Sequence, residues 1–117
     1  ALANELELIY PNDLIILWYS GYAYVRTEQW AKALDTYEKI EQEIAGIDFR
    51  GIEADVECWY MKALSLYKMG HWEEALTYCT KVREVQTMVN TRLFYFEDFI
   101  ESNTKLMGVL NSNLSTR

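Results

Sequence analysis

The chain has 117 residues, of which half are apolar and a quarter charged, a composition that fits one soluble globular domain and excludes a disordered chain. Its net charge is −7 and its eleven Lys and Arg residues are scattered, which excludes the clustered basic face of a nucleic-acid binder. The one long apolar run, Leu14 to Val25, is interrupted by Ser20 and Gly21 and is too short to cross a bilayer, so we expect no membrane insertion by this segment.

Helical periodicity dominates the chain. Apolar residues recur at spacings of three and four, alternation of period two never persists, and proline occurs once, at Pro11. The pattern predicts an all-α protein with six helices, over residues 1–9, 13–27, 29–44, 53–69, 72–86 and 90–110. Asn90 is the predicted N-cap of the last helix, whose apolar stripe is Leu93, Phe96, Ile100, Met107 and Leu110, interrupted by Asn103.

One phrase occurs twice in the chain. Residues 25–34 read VRTEQWAKAL and residues 67–76 read YKMGHWEEAL. Six positions of the first unit fall opposite six of the second at a constant offset of 42: Gly21, Tyr24, Trp30, Ala33, Tyr37 and Ile40 against Ala63, Leu66, Trp72, Ala75, Cys79 and Val82. The small residues among them, Gly21, Ala33, Ala63 and Ala75, predict points where two antiparallel helices approach closely.

This pattern resembles the tetratricopeptide repeat, a helix–turn–helix unit of 34 residues with small and aromatic residues at fixed places. The resemblance covers residues 14–45 and 56–87 and is strongest in WYMKALSLYKMGHWEEALTYCTKV. It implies antiparallel helix pairs in a right-handed superhelical stack. The first unit differs from the family pattern in having Glu28 where a turn glycine is usual, and the spacing of 42 adds residues within EQEIAGIDFRGIEA.

The repeat predicts one domain with the following parts. Residues 1–11 form a partial N-terminal helix, 12–45 the first repeat, 46–55 an inserted loop, 56–87 the second repeat, 90–110 a C-terminal capping helix and 111–117 a frayed tail. Since the chain begins at Ala1 rather than Met, we expect an excised fragment or a processed form.

No catalytic, metal or cofactor motif is present in the sequence. His71 stands alone at a predicted turn, without cysteine or carboxylate in metal-ligand spacing, and glycine-rich phosphate loops and nucleophile motifs are absent. Cys58 and Cys79 fit buried thiols of a reducing compartment, and a disulfide between them is the alternative if helix pairing brings them close. We therefore expect a cytoplasmic protein that is not an enzyme and has no cofactor.

The first helix of each repeat carries a second apolar stripe. Trp18, Tyr22 and Val25 are spaced i, i+4, i+7, and Tyr60, Leu64 and Tyr67 repeat that spacing 42 residues later. In the family that the chain resembles, these positions line the concave groove where peptides or helices bind. The stripe therefore predicts a site for a peptide or amphipathic helix of a partner protein, with a competing interpretation in which the chain's own ends fill the groove.

The stripe predicts an interaction adaptor or scaffold, and alternatives remain open. Family members that bind acidic chaperone tails use Lys, Arg and Asn on the groove face, whereas here Arg26 and Lys68 lie only at its far end, so an apolar ligand fits better. One alternative is a segment of a longer array that self-associates or stacks on neighbouring repeats. Another is a six-helix module resembling the cytosolic domain of the mitochondrial fission adaptor, on the basis of ECWYMKALSLYKMG.

Overall fold

The computed structural model describes residues 13–45, 52–85 and 99–115, and this part of the chain is helical without strands. The predicted all-α class is therefore confirmed. The described helices are α1 (Leu14–Arg26), α2 (Trp30–Ile44), α3 (Ile52–Lys68), α4 (Trp72–Val85) and α5 (Phe99–Ser115).

Helices α1 and α2 form one antiparallel pair and α3 and α4 form a second. The two connecting turns have the same backbone hydrogen bonds. In the first turn the N–H of Gln29 donates to the carbonyl of Tyr24 at 2.8 Å, and in the second the N–H of His71 donates to the carbonyl of Leu66 at 2.8 Å. In each turn, the preceding helix therefore ends in a C-cap motif that contains a residue with left-handed backbone conformation.

That left-handed residue is Glu28 in the first turn, with φ +59°, and Gly70 in the second, with φ +86°. Glycine adopts this conformation without a steric penalty, whereas a residue with a Cβ atom is disfavoured there. The departure of Glu28 from the family pattern therefore leaves the turn unchanged but places a strained residue in it.

Small residues lie where the paired helices approach each other. A Cβ atom added to Gly21 would stand 2.9 Å from Cε2 of Tyr37 on α2, closer than such contacts allow. Ala33, Ala63 and Ala75 are completely buried. The close approach predicted at Gly21 is confirmed, and the burial of the three alanines agrees with the same prediction.

The two pairs stack in chain order, with α2 packed against α3, and α5 covering both α4 and α3. One continuous core runs through the stack and includes Leu17, Tyr37, Val56, Val82 and Leu110. Successive helices that bury one shared core are the arrangement expected of helical repeats.

Helix α5 differs from the predicted capping helix in where it ends. It extends to Ser115, whose hydroxyl donates to the carbonyl of Asn111 at 2.7 Å, so the prediction of a frayed tail was wrong for 111–115. Its buried face consists of Phe99, Asn103, Leu106, Met107 and Leu110. The predicted start at residue 90, including the Asn90 cap, Leu93 and Phe96, lies outside the described residues, as do the predicted N-terminal helix and 116–117.

Asn103 belongs to the buried face of α5 rather than interrupting it. Its Nδ2 donates to the backbone carbonyl of Cys79 on α4 at 3.0 Å. Its Oδ1 is buried and accepts no hydrogen bond from the described part of the chain.

The inserted segment is shorter than the predicted loop 46–55, because α3 begins at Ile52 and its first four residues replace the end of that loop. Residues 46–51 lie outside the described part. Helix α2 ends at Ile44, as the apolar periodicity predicts, and Ile44 is buried.

A buried cation joins the two helix pairs. Lys62 on α3, only 2% exposed, donates to Oε2 of Glu38 at 2.6 Å and to Oε1 of Glu41 at 2.7 Å, both on α2. Its Nζ also lies 4.3 Å from the ring centroid of Tyr78 on α4. Burial by itself lowers the pKa of Lys62, but hydrogen bonds to Glu38, Glu41 and Tyr78 outweigh burial and raise the pKa above its usual value.

Candidate functional site

An open cleft of about 430 Å³ lies between the C-terminal halves of α1 and α3. It brings together three of the six predicted groove residues, Tyr22 and Val25 from α1 and Leu64 from α3. The complete lining is Tyr22, Val25, Arg26, Glu28, Trp30, Met61, Leu64 and Lys68. We call this feature the α1–α3 cleft.

The position of the cleft follows from the two helix pairs. The same positions of α1 and α3, 42 residues apart, supply Tyr22 with Leu64 and Arg26 with Lys68. Side chains four residues apart on a helix share one face, so the residues at these positions point to the same side of the stack. Trp30, the first residue of α2, adds an aromatic ring to the cleft.

Trp18 and Tyr67 do not line the α1–α3 cleft. Trp18 is half-buried against the core. Tyr67 is also half-buried and lines a second depression of about 260 Å³ with Lys68, Gly70, Trp72 and Asn113 of α5. Tyr67 therefore lies beside the cleft, because the two depressions share Lys68, whereas Trp18 lines neither of them.

Tyr60 lies in the interior of the protein and is 6% exposed. Its ring packs against Phe99 of α5 with 5.6 Å between the ring centroids and an interplanar angle of 47°, the tilted geometry that aromatic pairs favour. Helix α5 covers the first-helix surface at this point. A ligand could reach Tyr60 only by displacing Phe99.

The lining includes residues that the apolar stripe did not predict. Met61 is adjacent to Tyr60 in sequence but faces the cleft, and Trp30 was interpreted only as a repeat signature residue. Met61 is 1% exposed, so it contributes to the base of the cleft rather than to its accessible surface. Glu28 and Trp30 come from beyond the first helices, so no stripe along one helix could have predicted them.

Two cations mark the end of the cleft nearest the turns. Arg26 is the last residue of α1 and Lys68 the last of α3, and both side chains are exposed. The Nζ atom of Lys68 lies 5.9 Å from the ring centroid of Trp30 and 5.7 Å from that of Tyr67. Within the described residues, neither cation has a carboxylate oxygen within 4.0 Å.

Both cysteines are free and buried. Burial raises the pKa of the Cys79 thiol to about 12. Burial likewise raises the pKa of Cys58, and the negative charges of Glu41, Glu57 and Asp55 raise it further. Because the thiolate is the reactive form, neither side chain is a nucleophile at neutral pH.

Within residues 13–45, 52–85 and 99–115, no three His, Cys, Asp or Glu side chains are grouped so that they could hold a metal ion. In the same part of the chain, no helix combines the length and apolar character needed to span a membrane.

Comparison with known proteins identifies the repeat. A family model described as "Anaphase-promoting complex, cyclosome, subunit 3" matches residues 7–82, about two thirds of the chain, and its repeats are of the tetratricopeptide type. No curated protein and no solved structure matches the chain. The match spans both helix pairs up to Val82, and repeats of this type are protein–protein interaction modules. The chain therefore belongs to the anaphase-promoting complex, cyclosome, subunit 3 family of tetratricopeptide-type repeats.

Proposed function

We propose that the chain is an interaction adaptor that binds a peptide or amphipathic helix of a partner protein in the α1–α3 cleft. The cleft itself carries the proposal, because it joins three predicted groove residues from two repeats into one concave surface with apolar and charged parts. Its volume of about 430 Å³ lies within the range of ligand pockets. The binding residues are Tyr22, Val25 and Leu64, with Trp30, while the buried Met61 lies behind them.

The cleft fits an apolar side chain of a partner segment. Tyr22 and Trp30 offer large rings already half-buried against the protein, so little conformational freedom is lost when a ligand covers them. Aromatic residues in such positions commonly dominate the binding energy. Tyr67 extends the surface at its flank, whereas Tyr60 contributes only if α5 moves away from it.

The proposed adaptor has no catalytic role and acts in the cytoplasm. Its free, buried cysteines are compatible with a reducing compartment. Localising the protein with a tag in its source cells tests this compartment, and a secreted or luminal protein would contradict it.

Selection from a displayed library of random peptides tests the binding site. The wild-type domain is compared with a Leu64→Arg variant, which places a charge in the cleft, and with Val109→Arg as the control. Val109 is an exposed apolar residue of α5 outside the cleft, so both variants replace an aliphatic side chain by arginine. Circular dichroism establishes that each variant remains helical.

We expect peptides with aromatic or aliphatic anchors to bind the wild-type and Val109→Arg domains, and to bind Leu64→Arg at least tenfold more weakly, since a charge in an apolar pocket costs binding energy. A selected peptide titrated into the isotope-labelled domain should shift the amide resonances of the cleft residues. Peptides that bind Leu64→Arg and wild type equally would show that the cleft is not the site.

A second function, as a segment of a longer array, is supported by the outer face of α1. Ile15 and Tyr19 are 67% and 70% exposed. The residues 42 positions later, Glu57 and Met61, are buried within the stack. The same repeat face is thus covered in α3 and open in α1, as at the end of a stack.

Sedimentation velocity tests this second function. If the open face of α1 stacks on another repeat, the wild-type domain should associate with rising concentration, and an Ile15→Ser, Tyr19→Ser variant should remain monomeric. A wild-type domain that stays monomeric at all concentrations would count against stacking between copies of this chain.

A further inference from the structure

The α1–α3 cleft and the second depression, which Tyr67 lines, are built from the same positions of the two repeats. Each takes four residues from the end of a first helix, the turn and the start of the next helix, and the two sets differ by 42 at every position: Val25, Arg26, Glu28 and Trp30 against Tyr67, Lys68, Gly70 and Trp72. The second depression is completed by Asn113 of α5, and we call it the α3–α5 depression. Since Lys68 lines both, the α3–α5 depression continues the cleft.

Each of the two recesses is lined by one tyrosine and one tryptophan. These are Tyr22 and Trp30 in the α1–α3 cleft, and Tyr67 and Trp72 in the α3–α5 depression. All four side chains are half-buried, so each ring is held in place while part of it stays accessible. Grooves lined by aromatic rings are the surfaces on which proline-rich segments dock.

The distance between the two recesses follows from the helix that separates them. Both open on the end of α3, one on each side of it. A helix with its side chains is about 10 Å across, so two anchors of one ligand would lie about 10 Å apart. In a polyproline II segment every third residue faces the same side, a repeat of about 9 Å. A β-strand repeats every second residue, about 7 Å, which is too short.

The charge of Lys68 lies between the two aromatic linings. Its Nζ atom is 5.9 Å from the ring centroid of Trp30 in the cleft and 5.7 Å from that of Tyr67 in the depression. The apolar stripe of an α-helix presents a side chain about every 5–6 Å, so one of them would meet this ammonium group. A polyproline II segment presents no side chain to that face between its two anchors. The position of Lys68 therefore favours polyproline II over a helix.

We propose that the partner segment is proline-rich, binds in polyproline II conformation, and places two apolar side chains three residues apart, one in the α1–α3 cleft and one in the α3–α5 depression. This inference rests on the proposed function, because its first anchor occupies the same cleft. It adds the second binding site and the conformation of the ligand. A proline-rich segment is already extended before it binds, so little conformational entropy is lost.

Trp30 and Trp72 are also signature residues of the repeat, and packing between helices by itself accounts for their rings. That role alone predicts that a change at the rim of the α3–α5 depression leaves ligand binding unaltered. Asn113 lies at this rim and belongs to α5, outside both repeats. Substitution of Asn113 therefore tests the second site without changing either tryptophan.

The experiment is calorimetric titration of three synthetic peptides, capped at both ends. Each is a proline dodecamer, carrying two leucines three residues apart, two leucines two residues apart, or a single leucine. The domains are wild type, Asn113→Arg, which places a long charged side chain in the depression, and Asn111→Arg as the control. Asn111 is exposed on the same helix and lines neither recess, so both variants make the same substitution. Circular dichroism establishes that each variant remains helical.

We expect the peptide with leucines three residues apart to bind wild type and Asn111→Arg at least about tenfold more tightly than the other two peptides, because only this spacing fills both recesses. Asn113→Arg should reduce its affinity to that of the single-leucine peptide. The single-leucine peptide should bind all three domains alike, since it needs only the α1–α3 cleft.

Three results overturn the inference: no binding of any proline peptide, no preference for the spacing of three, or equal binding of the preferred peptide to wild type and Asn113→Arg. The proposed function survives each of them if peptides selected from the random library still depend on Leu64. If neither the proline peptides nor the selected peptides are weakened by Leu64→Arg, the proposed function fails together with the inference.

Discussion

The buried ammonium group of Lys62 offers the sharpest test of how the two helix pairs are joined. Replacing Lys62 by Met keeps most of the aliphatic volume but removes two short hydrogen bonds, 2.6 Å to Glu38 and 2.7 Å to Glu41, and the contact with Tyr78. Hydrogen bonds to charged groups contribute about 1.5–3 kcal/mol each. Desolvation of the ammonium group costs several kcal/mol in the opposite direction.

The net change in stability caused by Lys62→Met depends on how exposed the carboxylates of Glu38 and Glu41 are. Glu38 is half-exposed and Glu41 partly exposed, so both can be hydrated once Lys62 is gone, and the full penalty for an unpaired buried charge does not apply. We therefore expect Lys62→Met to lower the free energy of unfolding by about 1–3 kcal/mol. Urea denaturation followed by circular dichroism measures this loss, and a variant as stable as wild type would refute the reasoning.

The stability difference between wild type and Lys62→Met should also depend on pH. The pKa of Lys62 is raised in the folded state, so its stabilising effect is fully present below the unfolded value of about 10.4 and is lost as the pH rises through the folded pKa. The stability difference between wild type and Lys62→Met should be constant between about pH 7 and pH 9 and should shrink in more alkaline solution. A difference that grows with alkaline pH would contradict this assignment.

Three further changes test the packing. Gly21→Val should cost about 1–3 kcal/mol in urea denaturation, because its Cβ would meet the Tyr37 ring at 2.9 Å, and an unchanged stability would exclude that close approach. Gly70→Ala should cost about 1 kcal/mol from backbone strain alone, since φ is +86° and no atom lies within 4 Å of the new Cβ; an equally stable variant would refute strain. Asn103→Leu should be nearly neutral or stabilising in thermal denaturation, because it removes a buried unsatisfied oxygen together with one hydrogen bond to Cys79, and a loss above about 2 kcal/mol would show that this bond dominates.

Local patterns in the sequence were sufficient to predict the helix pairs. Gly21 and Ala63 recur at the offset of 42 because each repeat packs two helices, joined by a short turn, close together, and a small residue is needed at that point. Apolar periodicity likewise placed the ends of α2 and α4 within two residues of those observed, since it reports directly which face of a helix is buried.

Interactions between helices distant in sequence could not be predicted in this way. Lys62 is 21 and 24 residues from its two carboxylate partners, so nothing along α3 indicates that this lysine is buried. Tyr60 has the same spacing as Leu64 and Tyr67, and only the position of Phe99 on α5 decides that its ring is covered.

The sequence alone determined that the chain forms two tetratricopeptide-type pairs and which faces of their first helices are apolar, because both properties are periodic along one helix. The tertiary structure decided which of those apolar residues remain accessible. It left Tyr22, Val25 and Leu64 around an open cleft, buried Tyr60 beneath α5, and brought Arg26 and Lys68 to the same cleft. Accessibility depends on which other helices pack over each residue, and that is a property of the assembled stack.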